Sequence, residues 1–159
     1  MTATAEQVHA ALRAAGATLA TAESLTGGLV GAALTDVAGS SLTYRGGVVA
    51  YATELKAALL GVPDDLLAAR GPVHPDTALA MAAGVAARLG ATYGLATTGV
   101  AGPDPQDGHR PGEVYVAVAG PHGSTVRPLQ VPGSRADVRR EAVGAALDLA
   151  LEVVGNAAR

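Results

Sequence analysis

The fold of this chain is decided by one stretch of sequence, Thr21-Ala22-Glu23-Ser24-Leu25-Thr26-Gly27-Gly28. A mostly apolar run over residues 17–20 leads into the stretch, and an apolar run over residues 29–34 leads out of it. This order predicts a strand, a tight loop and then a helix. The first N–H groups of a helix have no partner within it and carry a partial positive charge. The loop can therefore hold a nucleophile, an anion or both.

A later stretch, Thr97-Thr98-Gly99-Val100-Ala101-Gly102-Pro103, has the same character because it also follows a predicted strand. Ligands of open α/β sheets bind at the loops that leave the carboxyl ends of strands. Residues 51–56 form a third loop of this kind, with a tyrosine and a lysine. All three loops carry usable chemistry, and the two glycine-containing loops indicate a single site.

Hydrophobic periodicity divides the chain into alternating helices and strands. Helices are predicted over residues 5–15, 29–36, 53–60, 64–70, 75–89 and 135–154, and strands over residues 18–22, 46–51, 93–97, 114–119 and 125–131. The buried face of the last helix is predicted to carry Val138, Ala142, Ala146, Leu149 and Val153. This alternation indicates an α/β three-layer sandwich with a mixed β-sheet flanked by helices. Since no repeat or linker interrupts it, residues 1–159 are predicted to form a single domain.

The composition excludes several kinds of site. Cysteine is absent, which excludes disulfides, thiolate zinc sites and a cysteine nucleophile. The histidines have no metal-ligand spacing, so we expect His9, His74, His109 and His122 at the surface, and we expect no metal and no cofactor. The net charge of −3 argues against nucleic-acid binding. Without a membrane-spanning run or the pattern of a signal peptide, the chain is expected to be cytoplasmic.

Ser24 fits two interpretations. A serine at a strand-to-helix turn is commonly the N-cap of the helix. That interpretation leaves the crowding of Glu23, Thr26 and two glycines unexplained. Gly27 and Gly28 would let a ligand approach bare backbone N–H groups, as an oxyanion or a phosphate does.

Three further residues also fit two interpretations each. Lys56, the only lysine, is either a solvated helix residue or a desolvated base that activates a hydroxyl. Tyr51, at a predicted strand end, either closes the edge of the core or offers its hydroxyl to a substrate. Arg139, on the last helix, is either a surface residue or a partner of a substrate phosphate.

Several separated motifs, in this order, resemble the CinA C-terminal-domain family. They are the opening stretch, Leu34-Thr-Asp-Val-Ala-Gly-Ser-Ser41, Gly46-Gly-Val-Val-Ala-Tyr51 with Glu54 and Lys56, Leu60-Gly-Val-Pro63, Ala80-Met-Ala-Ala-Gly84, Ala96-Thr-Thr-Gly-Val-Ala-Gly-Pro-Asp104 and Gly112-Glu-Val-Tyr115. Each motif alone is weak, but their collinearity over about residues 6–151 is specific. The enzymes of this family are nicotinamide-nucleotide amidohydrolases, or NMN deamidases.

The resemblance implies hydrolysis of the carboxamide of nicotinamide mononucleotide (NMN) to nicotinate mononucleotide and ammonia, in pyridine-nucleotide salvage. By position, Ser24 would be the nucleophile, Lys56 its general base and Tyr51 a supporting catalytic residue. The substrate-binding residues would be Glu23, Thr26, Gly27, Gly28, Thr98, Gly99, Ala101, Gly102 and Arg139. The role of Glu23, catalytic or structural, stays open, as does the loop that binds the phosphate. The resemblance also implies a homo-oligomer, expected to be a dimer.

Two other functions are compatible with these motifs. One is a non-catalytic nucleotide-binding module linked to competence or DNA damage, and the other is a hydrolase of a different small amide with the same serine and lysine. The sequence departs from the family pattern at Leu25, where cysteine is common, at Thr53 and His74, and over residues 104–110. The change at Leu25 favours Ser24 as the nucleophile. Longer relatives add an N-terminal domain that resembles molybdopterin-binding proteins, whose activity is not expected in this chain.

Overall fold

A computed structural model, which describes residues 1–159, shows a five-stranded sheet between two layers of helices. The strands are β1 (Leu19–Glu23), β2 (Tyr44–Val49), β3 (Tyr93–Gly99), β4 (Glu113–Gly120) and β5 (Gly123–Gln130). The helices are α1 (Ala5–Ala15), α2 (Leu29–Thr35), α3 (Thr53–Leu60), α4 (Asp64–Arg70), α5 (Pro75–Leu89) and α6 (Arg135–Ala157), with a 3-10 turn at Ser40–Leu42. The predicted α/β sandwich is confirmed. None of the helices combines the length and the hydropathy that crossing a membrane requires.

The sheet is mixed, as predicted, and its strand order is β2-β1-β3-β4-β5. The strands β2, β1 and β3 are parallel to one another, whereas β4 and β5 form an antiparallel hairpin beside β3. In this register Glu23, the last residue of β1, lies between Val49 of β2 and Thr97 of β3. The three loops that follow these parallel strands therefore leave the sheet at the same edge.

Helices cover both faces of the sheet, so each face has its own core. On one face α1, α2 and α6 bury Leu12, Leu19 and Leu149. On the other face α3, α4 and α5 bury Ala20 and Met81. Neighbouring residues of β1 point into different cores because side chains alternate across a strand.

Two glycines set how closely the second layer packs. A Cβ at Gly84 of α5 would collide with the carbonyl of Leu60 in α3, and a Cβ at Gly94 of β3 would collide with the carbonyl of Ala82 in α5. These close approaches bring α3 down onto α5, and α5 onto the sheet. Because α3 carries Lys56, they also set how deeply the lysine is buried.

Several predicted boundaries are corrected. The second strand begins at Tyr44 rather than at residue 46, and the third ends at Gly99 rather than at residue 97, so the first three residues of the predicted loop 97–103 belong to β3. The second strand ends at Val49 rather than at residue 51, because the carbonyls of Ala50 and Tyr51 accept hydrogen bonds from Lys56. The last helix continues to Ala157, and Val154, not Val153, is the fully buried valine of its final turns.

The prediction of a surface position is wrong for His9. Its imidazole is fully buried among α1, α2 and the 3-10 turn. Nε2 donates to the carbonyl of Leu34 at 2.8 Å, and Nδ1 shares a hydrogen bond with the hydroxyl of Thr43. Both ring nitrogens have partners, which is the condition for burying a polar ring.

Candidate active site

Ser24 and Lys56 meet at the carboxyl edge of the sheet. Ser24 directly follows β1, and Lys56 lies on α3, which follows β2. The Nζ of Lys56 donates to the Oγ of Ser24 at 2.9 Å. Lys56 is 1% exposed and Ser24 is 8% exposed, so both side chains are buried where they meet. Of the two interpretations of Lys56, the solvated helix residue is therefore wrong.

The surroundings of Lys56 favour its neutral form. Burial lowers the pKa of the amine from 10.5 to about 8, although the carboxylate of Glu54 raises it. At pH 7 roughly one molecule in ten then holds a neutral amine at this position. Nζ also donates to the carbonyls of Ala50 at 2.8 Å and Tyr51 at 3.4 Å. When the amine is neutral, these two carbonyls engage its two N–H groups, and its lone pair is left to face Ser24.

Glu23 caps α2 and does not face the site. Its carboxylate accepts from the hydroxyl of Thr26 at 2.6 Å and from the backbone N–H groups of Val30 at 2.9 Å and Gly31 at 3.1 Å. The hydroxyl of Thr26 also bonds to that of Thr97 at 2.8 Å, which ties the loop to β3. The interpretation of Ser24 as the helix cap is therefore wrong, because the carboxylate beside it caps the helix.

Gly27, Gly28 and Arg139 hold the serine loop, residues 23–28, from outside the cavity. Gly27 and Gly28 adopt φ values of +59° and +110°, in the left-handed region that favours glycine. The guanidinium of Arg139 donates to the carbonyl of Leu25 at 3.0 Å and to that of Thr26 at 3.3 Å. A Cβ at Gly27 would lie 3.5 Å from this guanidinium.

A cavity of about 320 Å³ opens in front of Ser24 and Lys56. This volume lies at the lower end of the range for small-molecule sites. Four of the predicted binding residues line it, namely Thr98, Gly99, Ala101 and Gly102. Five others do not, and they support the loops from outside the cavity: Glu23, Thr26, Gly27, Gly28 and Arg139. The hydroxyl of Thr98 donates to the carbonyl of Pro72 at 2.6 Å, so its lone pairs stay available.

Tyr51 lies at the rim of this cavity and is 58% exposed. Its hydroxyl accepts from Arg135 at 3.2 Å, and Arg135 also donates to the carbonyl of Gly102 at 2.7 Å. Arg135 was not among the residues predicted for the site. One signal could have identified it, because a cation at the first position of a helix opposes the helix dipole.

Other lining residues were also missed. They include Pro72 and Val73, which precede α5, and Asp104 and Gln106, which lie in the loop after β3. The loop position of Asp104 and Gln106 was a usable signal, because polar side chains at the carboxyl edge of a sheet face its ligands. Nothing in the local sequence marks Pro72 or Val73 as close to this loop.

The fold and site define a three-layer α/β protein with a buried serine–lysine pair at the carboxyl edge of a mixed sheet. A family model described as the CinA C-terminal domain matches residues 1–154. The chain belongs to the CinA C-terminal domain family. The resemblance read from the sequence is thereby confirmed.

Known relatives agree with this assignment. The chain is 59% identical over 133 residues to a CinA-like protein of Frankia casuarinae, covering 84% of this chain and 31% of that protein. It is 47% identical over 146 residues to a CinA-like protein of Mycolicibacterium gilvum, covering 91% of this chain and 34% of that protein. The chain thus spans about a third of the length of these curated relatives.

Solved structures share the whole fold. A competence-damaged protein (CinA) superfamily protein of Klebsiella pneumoniae superposes with a TM-score of 0.92 at 31% identity, over 96% of each chain. A competence/damage inducible protein of Agrobacterium tumefaciens superposes with a TM-score of 0.88 at 32% identity, over 98% of this chain and 99% of that one. Members of the family are thus named for competence and damage.

Proposed function

We propose that this chain is an amidohydrolase that converts NMN and water to nicotinate mononucleotide and ammonia. The observation that carries the proposal is the 2.9 Å contact between Lys56 Nζ and Ser24 Oγ in the wall of a ligand-sized cavity. A non-catalytic binding module needs neither a buried lysine nor a serine in contact with it. Burying an amine of this kind destabilises the fold. Such unfavourable burial is common where the amine takes part in catalysis.

The reaction proceeds through an ester of Ser24. The neutral amine of Lys56 takes the hydroxyl proton while Oγ forms a bond to the carboxamide carbon. The resulting ammonium returns this proton to the amide nitrogen, the carbon–nitrogen bond breaks and ammonia leaves. Water then attacks the ester with Lys56 again as the base. The acid is released, and the proton goes back to Ser24.

Backbone N–H groups beside Ser24 are the candidate donors to the oxyanion. The N–H groups of Leu25 and Thr26 donate no hydrogen bond within the chain. Leu25 also lines the cavity, which puts its backbone next to a bound amide. Donors that are already fixed stabilise the developing charge without reorganisation. Arg139 supports this arrangement because it holds the carbonyls of the same two residues.

The reaction is tested with the purified protein and NMN. Ammonia is measured with a coupled dehydrogenase, and nicotinate mononucleotide is measured by chromatography. We expect the two products in equal amounts. If NMN binds in calorimetry but neither product forms, the amidohydrolase proposal is wrong and a nucleotide-binding accessory role is favoured. If another small amide is hydrolysed and NMN is not, the proposed reaction type stands and the proposed substrate is wrong.

We also propose that the chain forms a homodimer through β2. The outer edge of β2 is unpaired, whereas the other edge strand, β5, contains Pro128, which cannot donate to a ladder. Leu29 and Val49 beside the β2 edge are exposed. Light scattering should give twice the chain mass, and Val49→Lys should weaken the dimer more than Thr125→Lys on β5. A monomer at all concentrations would contradict this proposal.

A further inference from the structure

Arg135 is a cation at the mouth of the cavity without a counter-ion. Its guanidinium bonds only to neutral groups, the carbonyl of Gly102 and the hydroxyl of Tyr51. The arginines that form ion pairs are Arg127 and Arg140, and neither lines the cavity. A guanidinium has five N–H donors, so Arg135 keeps donors for a ligand.

Tyr51 lies between Arg135 and the serine–lysine pair. Its backbone carbonyl accepts from Lys56 at 3.4 Å, and its phenol hydroxyl accepts from Arg135 at 3.2 Å. The two cations are thus held at opposite ends of one tyrosine residue. A pyridine ring joined to a ribose is of comparable length, so its two ends can meet Lys56 and Arg135 together.

We infer that the cavity binds its substrate in one direction, with the amide at Ser24 and an anionic phosphate monoester at Arg135. The inference rests on the proposed function and adds a specificity-determining residue and an orientation to it. The planar fork of an arginine matches two oxygens of a phosphate. Arg135 is the only strongly basic side chain in the cavity wall apart from Lys56.

This inference moves the phosphate partner from one arginine to another. Arg139 was predicted as either a surface residue or a partner of the phosphate, and its Nε and Nη2 are used by the carbonyls of Leu25 and Thr26. Arg139 does not line the cavity, whereas Arg135 does. The two arginines therefore have different tasks: Arg139 fixes the serine loop, and Arg135 meets the substrate.

The test compares two substrates and three arginine variants. NMN is compared with nicotinamide riboside, which has the same amide and sugar but lacks the phosphate. The variants are Arg135→Met, Arg135→Lys and the control Arg13→Met, which removes an exposed charge of α1 outside the cavity. Circular dichroism and thermal melting establish that each variant folds. Calorimetry with both compounds measures binding separately from turnover.

We expect Arg135→Met to lower kcat/KM for NMN by about 10- to 100-fold, as expected for loss of charge-assisted hydrogen bonds. The value for the riboside should not change. Arg135→Lys should restore part of the NMN activity, and Arg13→Met should resemble the parent chain. The loss should appear in KM more than in kcat, because the phosphate is far from the reacting carbon.

Two outcomes separate this inference from the proposed function. If Arg135→Met lowers the activity equally on both compounds, the orientation is wrong although the reaction stands. If NMN binds in an Arg135-dependent way but no ammonia forms, the contact between the phosphate and Arg135 stands and the reaction is wrong. If the parent chain neither binds nor hydrolyses either compound, both are wrong.

Discussion

The loop after β1 and the loop after β3 meet at one edge of the sheet, but they are held in different ways. Residues 23–26 of the first loop are buried and are bonded to β3, α2 and α6. Residues 103–108 of the second loop are exposed, and the pairing of Gln106 with His109 is the backbone bridge that closes it. The first loop is therefore fixed before a ligand arrives, whereas the second can adjust to one.

This difference matches the two tasks that one cavity has to perform. A nucleophile must be held close to its reaction geometry, because small displacements cost large factors in rate. Recognition of the remainder of a substrate tolerates and often uses an adjustable loop. Substitutions in the first loop should therefore change kcat and stability, whereas substitutions facing the second should change KM.

The largest effect is expected for Ser24→Ala in the fixed loop. Without the nucleophile, kcat for NMN should fall by at least about 10³-fold. Calorimetry should still detect NMN binding, because the contacts at the other end of the cavity remain. Ser124→Ala on the exposed strand β5 is the matched control. Full activity of the Ser24 variant would exclude the proposed mechanism.

Lys56→Met should abolish turnover and stabilise the fold at neutral pH. Because burial lowers the pKa of Lys56 from 10.5 to about 8, an ammonium at this position opposes folding below pH 8. The variant should be more stable at pH 7 by up to about 3 kcal/mol. This advantage should shrink as the pH rises from 8 to 10.5 and then disappear, because the amine is neutral in both states. Urea unfolding at pH 7 and above pH 10.5 measures it, and a constant difference would contradict the buried charge.

Glu23→Gln tests whether the first loop is held by its cap. The amide keeps the size of the side chain but places an NH₂ group against backbone N–H donors of α2. We expect a loss of about 1–3 kcal/mol in the free energy of unfolding and a lower kcat with KM nearly constant. Glu141→Gln, at an exposed position of α6, is the control. If kcat is unaffected, the capping of α2 does not position Ser24.

The pH dependence of kcat/KM tests the side of the cavity that holds Ser24 and Lys56. Since the neutral amine is the base, kcat/KM should rise with pH through about 8 and then level off. The carboxylate of Glu54 raises the pKa of Lys56, so Glu54→Gln should shift the rising limb to lower pH. Arg135→Met should leave the position of the limb unchanged. If kcat/KM did not change between pH 6 and 9, the base would not have a pKa of about 8.

The smallest effect is expected for Thr98→Val, near the end of β3 and before the adjustable loop. The hydroxyl of Thr98 donates to the carbonyl of Pro72, and valine keeps its shape. We expect a loss of about 0.5–1.5 kcal/mol in stability, a modest rise in KM and an unchanged kcat. A fall in kcat as large as that of Glu23→Gln would contradict the division between the two loops.

Much of the fold was predictable because its signals are local. Periodicity identified every helix and strand, and capping residues such as Thr4 and Ser134 mark true helix starts. The errors came from long-range contacts. The end of β2 moved because Lys56 takes the carbonyls of Ala50 and Tyr51, and His9 is buried because Leu34 and Thr43 bond to its ring.

The candidate site was predictable only in part. The serine, the lysine and the loop after β3 were selected because small, polar and basic residues follow predicted strands. The direction of each side chain was not predictable. Glu23 and Ser24 are adjacent in sequence, yet the carboxylate of Glu23 caps α2 while the hydroxyl of Ser24 meets Lys56.

By itself, the sequence determined the elements, the layered α/β class, the family and the pairing of Ser24 with Lys56 as a hypothesis. Only the tertiary structure decided which arginine meets the cavity. Arg135 and Arg139 lie about one helical turn apart on α6, about 6 Å along its axis, and their local sequences do not distinguish their roles. The position of α6 over the sheet edge is set by packing against β4, α1 and α2, far away in sequence. That packing places Arg139 on the serine loop and Arg135 at the mouth of the cavity.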